Sequence, residues 1–257
     1  MSAPVPLPVF DGPLDAEGLS DADLETLRLF GVEAALIAPP PLPVSDAREA
    51  RARLERLLTH QLPRFARAGI RAWATLGLSG QSVPERGLHE VLDVLPELCA
   101  GGRAVAIGPL DLAGRGGAVE EAFDTQVALA GRLELPLLVN AGGAALSPTV
   151  ARLQAGEQPP RRTLLLRLDE AGARVALGLG FYAGLSLHPA VQSLEQAIGA
   201  VRRLGARKVV LGNPSGGGDL LALPRAAHRM EKEGLSEALI SRVGGLNLAA
   251  LLRLPGV

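Results

Sequence analysis

Few side chains in this chain of 257 residues stand where they can do chemistry. Asp11, Asp15 and Asp111 each follow or close a short apolar run, so three carboxylates could meet at one edge of a sheet. There they would hold Mg²⁺ or exchange protons. The competing reading makes Asp15 and Asp111 turn residues or helix caps. Of the four histidines, His60, His89 and His228 fall in helical stretches, and His188 alone closes a strand, as a candidate general base or a hydrogen-bonded loop residue. A single histidine is not a metal site. Ser147 and Ser215 could be paired with it as nucleophiles, but no G-x-S-x-G elbow is present.

A second group points to anions. The run NPSGGGD, Asn213 to Asp219, lies between a strand pattern and a helix pattern, and its glycines Gly216, Gly217 and Gly218 allow close backbone approach. With Asn213 and Ser215 it could take a phosphate or carboxylate, with Arg167 and Asn140 as fork-like and amide partners. It has no G-K-[ST] ending and so is not a P-loop. The alternative is a flexible connection.

These groups need a scaffold that gathers strand ends. Strands are expected at Val5 to Phe10, Val32 to Ala38, Ile70 to Leu78, Ala104 to Ile107, Leu137 to Val139, Thr163 to Leu168, Phe181 to Leu187 and Lys208 to Gly212. Asp11, Gly12 and Pro13 are expected to end the first strand, and Gly108 and Pro109 the fourth. Helical spacing fills the intervals: Asp21 to Phe30 with Ser20 and Asp21 as capping candidates, Ala47 to Ala68, Leu88 to Cys99, Ala118 to Arg132, Pro148 to Gln154, Ala171 to Leu177 and Val191 to Leu204. A proline-rich segment, Pro39 to Pro43, must be a stiff loop. Eight strands alternating with helices over this length predict an α/β fold, a (β/α)₈ TIM barrel in a single domain, with an open doubly wound sheet as runner-up. Barrel active sites lie in the loops after the strands, where Asp111, Asn140 and His188 would fall, with Arg167 near the end of the sixth strand.

The stretch from Ala104 to Asn140 also carries a family likeness. Ala106, Ile107 and Gly108, then Glu121, Phe123, Gln126, Leu129, Ala130, Leu135, Pro136 and Val139, resemble a frame of TatD-like metal-dependent hydrolases in the amidohydrolase superfamily. GFYAGLSLHP at Gly180 to Pro189 and DLLALPRAAHRM at Asp219 to Met230 resemble later motifs of that family, in order. The resemblance implies a metal-dependent hydrolase barrel, but the expected metal ligands differ. Pro13 and Asp15 stand where the family places a histidine pair, Pro109 a glutamate, Asn140 and Arg167 histidines, and the loop after strand eight reaches Asp219 only after NPSGGG. A hydrolytic ion needs several imidazoles and carboxylates, so this likeness predicts no metal or other cofactor.

Bulk properties narrow the function classes. A formal charge of -1 with interspersed signs gives no reason to expect nucleic acid or an anionic membrane. No apolar run reaches the roughly 20 residues that span a bilayer. One cysteine, Cys99, in an apolar helical stripe, and an N-terminal stretch that Pro4, Pro6 and Pro8 make a poor signal peptide point to a soluble cytoplasmic protein. The expectation is a catalytically inactive relative of the hydrolases that acts as a binding or assembly partner, its ligand a protein or an anionic small molecule, with oligomerisation possible. The alternative is an enzyme acting on an anionic small molecule at the barrel mouth.

Overall fold

A computed structural model describes residues 9–113, 116–156, 158–212 and 219–254. Eight strands form one parallel sheet in the order of the chain: β1 (Val9–Asp15), β2 (Val32–Ala38), β3 (Arg71–Leu76), β4 (Ala104–Leu110), β5 (Leu137–Asn140), β6 (Thr163–Leu168), β7 (Tyr182–Ser186) and β8 (Val209–Gly212). The sheet curls until β8 lies against β1, with Gly212 packed on the Gly12 carbonyl. The fold is an α/β (β/α)₈ barrel, as the strand rhythm predicts.

Helices follow the strands: α1 (Asp21–Leu29), α2 (Ala47–Arg56), α3 (Leu62–Arg67), α4 (Leu88–Ala100), α5 (Gly117–Arg132), α6 (Leu146–Ala155), α7 (Glu170–Gly178), α8 (Leu194–Leu204), α9 (Ala222–Lys232), α10 (Glu237–Ser241) and α11 (Asn247–Leu252). A wide turn at Leu57–Gln61 joins α2 to α3 with helical backbone at both ends, so the amphipathic stretch from Ala47 runs on to Arg67. The expected capping is present at Ser20, whose hydroxyl accepts from the Asp23 amide while the Asp23 carboxylate accepts from the Ser20 amide.

Strand alternation divides the core in two. Ala35 and Ile37 face the helix layer with Leu24, Leu54, Phe65 and Phe123, whereas Ala34 and Leu36 fill the barrel interior with Phe10, Ala106, Leu138, Leu164, Leu166 and Val210. Leu248, Leu251 and Leu252 of α11 close the end of the cylinder opposite the strands' carboxyl ends. Asn247 secures that plug by donating to the Ala206 and Val209 carbonyls at 2.5 and 2.7 Å. No helix among the described residues is long and apolar enough to cross a membrane.

Two strand ends depart from expectation for the same reason. β1 continues through Gly12–Pro13 to Asp15, and β4 through Gly108–Pro109 to Leu110. In both, the register shifts where the glycine and proline stand, so the residue without an amide donor sits in a bulge and breaks no ladder hydrogen bond. The Thr75 hydroxyl bridges the second bulge by donating to the Ala106 and Gly108 carbonyls, at 3.2 and 2.8 Å. Of the expected first strand, residues 5–8 lie outside the described residues.

Candidate site at the barrel mouth

The carboxyl ends of β1, β2, β4 and β5 converge on a small space. Pro13, Asp15, Ala38, Pro39, Pro41, Gly77, Ser79, Ser82, Pro109 and Asn140 enclose about 20 Å³. That is room for about one water molecule. Four of its walls are proline rings: the bulges aim Pro13 and Pro109 inward, and the stiff loop after β2 adds Pro39 and Pro41. Arg53 fastens that loop by donating to the Leu42 and Pro43 carbonyls at 2.7 and 3.3 Å. The floor is polar but largely self-satisfied. The Ser79 and Ser82 hydroxyls are 3.0 Å apart, and the buried Gln126 side chain of α5 clamps the Leu78 amide and carbonyl at 2.7 and 3.1 Å.

The three aspartates do not meet. Asp11 follows the inward Phe10 and pairs with Ala35, which turns it to the helix-facing side. It is 2% exposed and accepts a 2.8 Å bond from the Gly12 amide, and burial pushes its carboxyl up to about 7. Asp15 reaches the small space, yet its Oδ1 accepts from the Glu17 and Gly18 amides at 3.1 and 3.3 Å, as an Asx turn. Asp111 Oδ1 accepts from the Gly80 and Ala113 amides, both at 3.0 Å, and so ties the loop after β3 to the loop after β4. Among the described residues no three His, Cys, Asp or Glu side chains come together. His188 is a loop residue here: its Nδ1 accepts from the Ala190 amide at 3.1 Å, and its own amide donates to the Ser186 hydroxyl.

Beside the small space, and sharing Asn140 with it, lies a cleft of about 470 Å³ over the ends of β4, β5 and β6. Its polar lining is Asp111, Asn140, the Gly142–Gly143 backbone, Arg167 and Asp169, and its apolar lining includes Leu112, Ala113, Ala145 and Val191. Asn140 Nδ2 donates weakly to Asp111 Oδ2 at 3.4 Å, whereas its Oδ1 is buried without a partner. Arg167 occupies a bulge of β6 with φ 63, in the left-handed region, and its exposed side chain enters this cleft rather than the small space. Gly142 permits that bulge, because a Cβ there would strike the Arg167 carbonyl.

Thus Asn140 and Arg167 do share a cleft, together with Asp111. The sequence reading missed Asp169, which caps α7 by accepting from the Gly172 amide at 2.8 Å, and whose position ahead of E-A-G-A was a legible N-cap signal. Ser147 lies in α6, and Asn213, Ser215, Gly216, Gly217 and Gly218 fall outside the described residues.

Strand order and enclosure make this a (β/α)₈ barrel, and its fold is that of solved TatD-like structures. No family model matches the sequence, and no curated protein is significantly similar to it. Solved structures are. A TatD-like protein from Archaeoglobus fulgidus is similar at a TM-score of 0.80 and 19% identity, over 95% of this chain and 100% of that one. A TatD homolog from Escherichia coli is similar at 0.71 and 17%, over 96% and 98%. The phosphotriesterase homology protein of Escherichia coli, solved with phosphate in its active site, is similar at 0.66 and 15%, over 96% and 99%.

Proposed function

We propose that this hydrolase-fold protein does not carry out metal-assisted hydrolysis and acts instead as a binding or assembly partner. The carrying observation is the small space at the mouth. The positions that resemble metal ligands of TatD-like hydrolases include Pro13, Asp15, Pro109 and Asn140, and these four surround about 20 Å³. Two of them have no donor atom, Asp15 is engaged by two backbone amides, and Asn140 is a neutral amide. A catalytic zinc takes about three imidazole, thiolate or carboxylate ligands and keeps an open position for water. The described donor set does not fit such an ion, and no catalytic step is routed through one.

Metal analysis of the purified chain, after incubation with zinc, manganese or iron and desalting, tests this reading. The expected content is far below one ion per chain, and a stoichiometric ion retained at the mouth overturns it. A second reading, an enzyme acting on a small molecule with an anionic group, is favoured by the cleft beside Asn140 and by an Arg167 side chain that has no ion pair or hydrogen bond among the described residues. Only the second reading requires a small molecule to be turned over in that cleft. Incubation with anionic small molecules followed by mass spectrometry separates the two, since conversion supports the second reading and its absence the first.

A further inference from the structure

The cleft over β4 to β6 has a chemistry of its own. Its described charged groups are one cation, Arg167, and two carboxylates, Asp111 and Asp169. Among the described residues a dianion such as a phosphate monoester meets two like charges for one opposite charge, and like charges at short range are disfavoured in a partly desolvated site. A ligand with one negative group and one positive or hydrogen-donating group matches both signs.

Local geometry agrees. Arg167 offers a guanidinium fork that no side chain of the described residues engages, the arrangement that takes a carboxylate bidentately. The acceptor is that of Asp111, whose Oδ2 receives only the 3.4 Å contact from Asn140 among the described residues. A carboxylate oxygen with one long contact keeps capacity for an incoming N–H or O–H group. Leu112, Ala113, Ala145 and Val191 give a short apolar wall beside these groups.

We propose that the cleft binds a zwitterionic amino-carboxylate with a small apolar side chain, its carboxylate on Arg167 and its ammonium on Asp111 Oδ2. This deepens the reading of the mouth as a binding site without a hydrolytic ion. It narrows the anion expected from sequence to a monoanion carrying a donor.

Calorimetric titration of the full chain with three molecules of one skeleton tests it. Valine carries the ammonium, 2-hydroxy-3-methylbutanoate a hydroxyl, and 3-methylbutanoate neither. Valine is expected to bind tightest, and about tenfold or more above 3-methylbutanoate, the ratio corresponding to one charged hydrogen bond. Inorganic phosphate is expected not to compete. Arg167→Gly, which suits φ 63 and keeps the fold, should abolish valine binding, and Asp111→Asn, which keeps the oxygen that holds the Gly80 and Ala113 amides, should erase the preference for valine over 3-methylbutanoate. The proposal is overturned if valine binds no tighter than 3-methylbutanoate, if phosphate competes, if Arg167→Gly binds valine unchanged, or if about 10 mM valine gives no heat. Metal content is measured separately, so failure here is distinguishable from failure of the metal-free reading.

Discussion

Asp11→Asn exchanges a carboxyl group that burial holds at a pKa of about 7 for a neutral amide of the same shape. The carboxyl is 2% exposed and has one hydrogen bond, from Gly12, so desolvation outweighs that bond. In the unfolded chain the group titrates near 3.8. Between the two values the folded state binds more protons than the unfolded state, so stability falls as pH rises from about 4 to about 7 and is level beyond. The gap from 3.8 to about 7, at about 1.4 kcal/mol per pH unit, makes the ionised carboxylate a burden of about 4 kcal/mol. The amide variant lacks this dependence. Other acids pull the opposite way: Asp21, Asp23, Glu49, Glu170, Glu195 and Glu233 are held below their ordinary values by hydrogen bonds or arginines, and they lose stabilisation on acidification. The informative quantity is therefore the difference between variant and parent, in which these cancel. Denaturant unfolding of both at about pH 4, 6 and 8 should show the variant gaining on the parent by up to about 4 kcal/mol across that range. A difference that stays constant with pH, or an Asp11 carboxyl that titrates near 4 by NMR, refutes the reasoning.

Three further changes test the parts that position the mouth. Arg167→Gly removes a left-handed conformation from a side-chain-bearing residue and should stabilise the chain by about 1 kcal/mol in chemical denaturation. Gly142→Ala should do the reverse, losing about 2 kcal/mol or more in the same assay, because the new Cβ meets the Arg167 carbonyl, which is backbone and cannot rotate away. Gln126→Met conserves volume but strands the Leu78 amide and carbonyl in the core. It should lower stability by about 2 to 3 kcal/mol and speed hydrogen exchange at Leu78 and Gly80.

The barrel was legible because every strand is a short apolar run and most helices keep one apolar stripe; Val32 to Ala38 and Thr163 to Leu168 agree with the observed strands to the residue. The Gly-Pro steps misled for a physical reason. Proline normally ends a ladder, and whether it sits in a bulge instead depends on the neighbouring strand, as at β1 and β4. For the site, residue types pointed to Asn140 and Arg167, but spacing could not say that the bulge of β6 takes Arg167 out of the small space and into the cleft that Asp169 also lines. Nor could it separate Asp11 from Asp15: four residues apart on a regular strand they would share a face, and the bulge between them puts them on opposite ones. Gln126 was visible as the polar member of the stripe Val119, Ala122, Phe123, Val127 and Ala130, yet only the fold shows which backbone it holds.

The ring-lined wall of Pro13, Pro39, Pro41 and Pro109 also limits where evolution or an engineer can take this rim. A pyrrolidine closed on its own nitrogen has no rotamer that swings aside and no lone pair to lend. A hydrolytic ion demands about three donors at once, so any one exchange for histidine or glutamate forfeits packing before coordination can repay it. Between the present rim and a working metalloenzyme lies a run of individually unrewarded substitutions, whereas adjusting the neighbouring cleft takes a single change at Asn140 or Arg167.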